Sequence, residues 1–225
     1  MKAFLYFLVF SFATIEANCQ ETPEIMKIFE KVDVEYLSKD IIDSLILKSP
    51  YYPSTNNPDN IKVYELLIDS SKIKARIYSG YESGQSGYQV YEIRLFNRLD
   101  GNLKVVCSIS SGSNGTMDQL TLQVFDFTVK SGILLRDRNS ELVFKSEISD
   151  FFKKGTPDSV ITKFESHSGY RLELFYSEAA GEFRLHEFLI QNNEQEDNFL
   201  AGNKIRIMWL NDRFRRAIPE FSKEY

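Results

Sequence analysis

The chain has 225 residues, 43% of them hydrophobic and 26% charged, with a formal net charge of −5. That composition is globular and the length suffices to bury a sizeable core, while the acidic balance removes any bulk electrostatic reason to expect a nucleic-acid partner. Eighteen Phe and twelve Tyr favour strands and large cores.

Lys2 and the uncharged, mostly apolar run from Ala3 to Ala13 open the chain. The run is too short to cross a membrane and is patterned like a secretory signal peptide. Ala17 and Cys19 then supply small residues at −3 and −1, so cleavage is expected before Gln20, giving a secreted or periplasmic protein. Cys19 carries the alternative, a lipoprotein acylated at that cysteine, although Glu16 and Asn18 stand where a lipobox wants an apolar and a small residue. Loss of Cys19 leaves Cys107 as the one thiol, so no intramolecular disulfide forms and stability must come from the core. No second apolar run is long enough to span a bilayer, and the mature chain is expected to lack a transmembrane segment.

Thr22-Pro23-Glu24 reads as a helix start: Thr22 as N-cap, Pro23 at the first turn, Glu24 at the positive end of the dipole. Ile25, Ile28, Phe29 and Val32, then Leu37, Ile41 and Leu45, predict one or two amphipathic helices between Pro23 and Leu47, ended by Ser49-Pro50. Tyr51 to Asn60 is a loop by its Pro, Asn and Ser content. Strands are predicted over 61–68 and 72–78, the second alternating Ile73, Ala75 and Ile77 with Lys72, Lys74 and Arg76.

A tyrosine-, serine- and glycine-rich loop is read from Tyr78 to Gly87, then strands over 88–96 and 103–110 joined at Asp100-Gly101, a strong hairpin signal. A further loop over 110–118 precedes a strand over 120–127, and Ser131-Gly132 turns into Ile133-Leu134-Leu135. Helical character returns over 147–154, stopped by Gly155, with a short helix after Thr156-Pro157-Asp158. Strands follow over 170–176, 183–190 and 204–210, and Asn211-Asp212 turns the last one towards Phe214. The acidic, Asn-rich stretch 191–198 reads as a loop.

This order predicts an α+β fold, with N-terminal helices and antiparallel sheet, as one domain over 20–225 after a signal segment over 1–19. Gly87-Tyr88 and Gly169-Tyr170 each open a strand pair, which suggests a divergent duplication of a helix-plus-meander unit, with halves 20–145 and 146–225. A curved sheet wrapping the N-terminal helix and an all-β sandwich are the alternatives.

No motif of nucleophilic, metal or phosphate chemistry is present. Cys107 sits mid-strand among Leu103, Val105 and Ile109, where it packs as a small hydrophobe. His167 and His186, the two histidines, lie in no HxxxH or HxH spacing, so no metal site is expected. No GxSxG elbow supports a serine triad, and the Ser110–Thr116 stretch lacks the lysine of a phosphate-binding loop. Asn114-Gly115-Thr116 matches a glycosylation sequon, which matters in a eukaryotic secretory host. Lys204, Arg206, Arg213, Arg215 and Arg216 make a basic C-terminal hairpin, read as a solvated strand face that discourages aggregation.

The functional lead is the set Tyr78, Tyr81, Tyr88 and Tyr91 among Ser and Gly, a mixture that suits binding loops because Tyr gives large contact area at low entropy cost. The function expected is therefore a non-enzymatic binding or interaction module for a protein or small molecule, with no cofactor. A hydrolase with dispersed residues, including His167 or His186, and an envelope assembly component are the other classes.

Overall fold

A computed structural model describes residues 24–32, 37–53, 61–81, 87–113, 116–166, 170–175, 181–187 and 199–221. The signal segment with Cys19, the Thr22-Pro23 helix start, the loop tips at 54–60 and 82–86, Asn114-Gly115, His167, and the loop over 191–198 lie outside the described residues.

Two helices come first. α1 (Glu24–Phe29) buries Ile25, Met26, Ile28 and Phe29, and α2 (Lys39–Leu47) buries Ile42 and Leu45. They are short and draw their stability from that packing rather than from propensity. Six strands follow: β1 (Lys62–Ile68), β2 (Lys74–Tyr81), β3 (Tyr88–Asn97), β4 (Leu103–Ser113), β5 (Thr116–Thr128) and β6 (Ile133–Arg136). They form an antiparallel meander in sequential order. The predicted Asp100-Gly101 turn joins β3 to β4, with Gly101 at φ 78° and the Asp100 carboxylate accepting the Asn102 N–H at 3.0 Å.

Next come α3 (Arg138–Glu141), two 3-10 turns at Leu142–Phe144 and Ile148–Phe151, and α4 (Asp158–Ser166). A second antiparallel sheet is built from β7 (Tyr170–Phe175), β8 (Gly181–Glu187), β9 (Lys204–Leu210) and β10 (Arg213–Arg216), again in sequential order. Positive φ at Asn211 and Asp212, 50° and 62°, makes the tight β9–β10 turn that those residue types favour. The protein is thus α+β with antiparallel sheets. Among the described residues the first sheet has six strands and the second four.

The first sheet buries residues on both faces. On one, Tyr64, Ala75, Ile77, Tyr91, Ile93, Val105, Cys107, Ile109 and Phe127 pack with α1 and α2. On the other, Val106 and Val124 join Phe144, Phe151, Phe152, Phe164, Ile205, Ile207 and Phe214. Ring contacts knit this second core: Phe96 meets Phe214 edge-on at 5.1 Å, Phe144 meets Phe214 at 4.9 Å, and Phe152 meets Phe164 at 4.9 Å. Trp209 lies 4.7 Å from Phe214 and donates its indole N–H to the Asn97 carbonyl at 3.0 Å. Each such ring contact adds about 0.5–1.5 kcal/mol beyond area burial.

Four expectations are corrected. The 110–118 stretch is largely strand rather than loop, because β4 runs to Ser113 and β5 starts at Thr116. A bulge between Ile109 and Ser110 keeps that polar extension in register with β5. β2 likewise continues to Tyr81, beyond the predicted end at Tyr78. The helix read over 147–154 is the 3-10 turn Ile148–Phe151, shortened because Phe152 leaves the helix to bridge Leu200. Lys204 is buried rather than solvated, its backbone paired with Glu220.

Candidate functional site

In an antiparallel pair, directly opposed residues share a face. The register therefore arranges the second face of the first sheet in rows that run across its strands. Lys104 opposes Phe96 and Asp126 in one row, and Val106 opposes Arg94 and Val124 in the next. Then come Leu67, Arg76, Glu92, Ser108 and Leu122, followed by Glu65, Tyr78, Val90 and Ser110. Tyr88 opposes Gly112 at the far end. The face thus passes from a packed aromatic end to a polar, tyrosine-bearing end.

Glu92 sits at the centre of the polar end, with its side chain 5% exposed. Its Oε2 accepts from Arg76 Nε at 2.9 Å and from the terminal guanidinium nitrogen at 2.5 Å, and its Oε1 accepts from Arg94 Nε at 2.6 Å. Lys74 Nζ stands 3.5 Å from Oε2. Burial opposes ionisation of Glu92, but Arg94 and Arg76 outweigh it and hold the carboxyl below its ordinary range. Burial lowers the pKa of the Lys74 ammonium; Glu92 opposes that shift, while Arg94 and Arg76 reinforce it. Ser108 and Ser110 are buried beside this cluster.

Tyr78 and Tyr88, both half-buried, stack with ring centroids 5.5 Å apart and planes 30° from parallel. Gly80 makes the arrangement possible. A Cβ there would lie 2.7 Å from the Tyr78 hydroxyl and 2.9 Å from its ring, so the ring rests against bare backbone. Arg76 is two residues from Tyr78 on the same strand and face, and its side chain stays 43% exposed. Leu67, opposite Arg76 on β1, is 62% exposed.

Of the four tyrosines read from the sequence, Tyr78 and Tyr88 come together. Tyr81 has the opposite parity, at the end of β2 across from Lys62. Tyr91 is fully buried in the helix-side core, where its hydroxyl donates to Gln89 Oε1 at 2.7 Å. The four therefore do not form one surface, because strand alternation sends odd and even positions to opposite faces. Glu92, Arg94 and Gly80 escaped the sequence reading. The polar residues at 74, 76, 92 and 94 do alternate, but that pattern also describes any wet strand face.

The other candidates resolve as follows. Cys107 is buried in the helix-side core, and burial pushes its thiol up to about 12. His186 lies on β8 opposite Arg171. Within the basic hairpin, Arg216 donates to the Lys145 carbonyl at 3.0 Å and Asp150 Oδ2 at 2.9 Å, and Arg206 pairs with Glu220 at 2.7 Å. A pocket between α1 and α2 is lined by Lys31, Leu37, Ser38 and Ile42, but the Lys31 ammonium is committed to the Gly132 carbonyl at 2.7 Å. Among the described residues no group of three His, Cys, Asp or Glu is placed to hold a metal, and no helix is long and apolar enough to cross a membrane.

No family model matches the chain, and no curated protein matches it. A solved domain of an uncharacterised protein from Porphyromonas gingivalis W83 is similar in structure, with a TM-score of 0.53. The match covers 88% of this chain and 99% of that one at 15% identity. Likeness at that identity is a likeness of fold.

Proposed function

We propose that this is an exported, non-enzymatic binding module, whose ligand or partner enters over the Tyr78–Tyr88 pair at the polar end of the first sheet. One observation carries the reading: two half-buried, stacked aromatic rings lie beside a half-exposed arginine that is already held in place. Rigid aromatic area next to a fixed polar group is what small binding sites are made of. The burial of Cys107 and its raised thiol pKa argue against a cysteine nucleophile. Export is supported by the Lys2 and Ala3–Ala13 pattern.

A fragment screen read from the tyrosine ring resonances tests the site. Ligands should shift Tyr78 and Tyr88 and lose about tenfold in affinity in Tyr78→Ala, a loss of about 1.4 kcal/mol. Binding unchanged in both Tyr78→Ala and Tyr88→Ala would sink the assignment. For export, the intact mass of protein recovered outside the cytoplasm should correspond to a chain starting at Gln20. An acylated Cys19 would convert the reading to a lipoprotein.

A further inference from the structure

At the polar end Arg76 and Lys74 keep part of their charge towards solvent, with side chains 43% and 34% exposed. Lys74, Arg76 and Arg94 face Glu92, and Glu65 is the remaining carboxylate in the rows of β1–β3 on this face. The Asp69 carboxylate, in the β1–β2 turn, is occupied with Ser71 and the Lys74 amide.

The way Arg76 is held matters as much as its charge. Glu92 engages Arg76 through Nε and one terminal nitrogen, both on the same carboxylate oxygen. That contact fixes the guanidinium plane and leaves its other edge directed away from Glu92, at a side chain 43% exposed. Lys74, with its side chain 34% exposed, flanks it. Beside them lie the Tyr78–Tyr88 stack and the exposed Leu67. A cation held in advance loses little entropy when it binds an anion, and flat apolar surface at its side takes the body of the same ligand.

The geometry points to a monoanionic ligand with a flat apolar body, its carboxylate on Arg76 and Lys74 and its body on Tyr78, Tyr88 and Leu67. This rests on the binding-module reading and adds the ligand's charge to it. No group is transferred and no bond is made.

The test uses a matched pair of probes, indole-3-acetate and its neutral amide, titrated into the full mature chain by calorimetry. The acid is expected to bind at least about tenfold more tightly than the amide, with an advantage that shrinks as salt is raised. Arg76→Gln should erase that preference, Arg76→Lys should restore part of it, and Tyr78→Ala should weaken both probes by a similar factor. Equal binding of acid and amide overturns the charge assignment and leaves the aromatic site standing. A preference that survives Arg76→Gln overturns it as well. If neither probe binds, the monoanion assignment fails, and the fragment screen decides separately whether the tyrosine pair binds anything neutral. Circular dichroism of Arg76→Gln controls for folding, and Arg76→Lys keeps the test decisive if that variant is unstable.

Discussion

Two ionic clusters lie on the same face of the first sheet, and they are built in opposite ways. At one end Glu92 is a buried carboxylate among three cations, two of them partly exposed. At the other end Lys104 is a buried ammonium between Asp126 at 2.7 Å and Asp137 at 2.6 Å, with Arg98 on Asp126 at 2.6 Å. Asp137 also caps α3 by accepting the Asn139 and Ser140 N–H groups, both at 3.1 Å. The Lys104 cluster thus ties strand to helix and uses its charges internally. The Glu92 cluster joins β2 to β3 and leaves cationic edges towards solvent. Charge that the fold consumes is structural, and charge that it holds in place without consuming is available to a ligand.

The largest effect that separates the two is expected from Glu92→Gln. Removing this buried anion takes a counter-charge from Arg94 and its neighbours, which costs about 3–5 kcal/mol in a buried pair. Urea denaturation measures it, and a loss under about 1 kcal/mol would show that the cluster contributes little to stability. Lys104→Met should cost less, about 2 kcal/mol, because Asp126 reaches water. In that variant the Asp137 carboxyl, now at about 2, should climb back towards its ordinary value, which carbon-detected titration reads directly. Burial opposes the ionisation of Asp137; hydrogen bonds from Lys104 and Ser140 overcome it.

Acid should weaken the native state through both clusters. The folded pKa values of Glu92 and Asp137 lie below their ordinary values of 4.5 and 3.8, so the folded state binds these protons later than the unfolded chain does. Their stabilisation is complete above the ordinary values and is lost as pH falls through the folded ones. The thermal midpoint should therefore decline progressively below about pH 4.5. A midpoint flat from pH 5 to 2.5 would contradict the assigned pairs. The smallest effect is expected for Tyr81→Ala, about 0.5 kcal/mol or less, since the residue is half-exposed at a strand end. Its influence on indole-3-acetate binding should fall below that of Tyr78→Ala, because the two side chains leave opposite faces of β2.

Much of this was legible in the chain. The helical period of Ile25, Ile28 and Phe29, the Asp100-Gly101 turn and the alternation along β2 and β9 follow from local sterics and apolar patterning, which act within a few residues. The helix α3 was missed because Arg138–Glu141 has no apolar repeat; the sign was there in Asp137, a good N-cap residue, but a cap without a following apolar stripe predicts little. The strand extension through Ser110–Ser113 was hidden by its Gly and Ser content, since pairing with β5 overrides that propensity.

The site divides along the same line. Sequence alone determined that a cluster of tyrosines and alternating cations surrounds the turn between β2 and β3, because those residues are neighbours along the chain. Tertiary structure decided which of them share a surface. Cross-strand register sets Tyr78 and Tyr88 on one face and Tyr81 and Tyr91 on the other, and it places Glu92 against Arg76, sixteen residues away. A one-residue slip in that register would exchange the two faces, which is why no local pattern can specify the site.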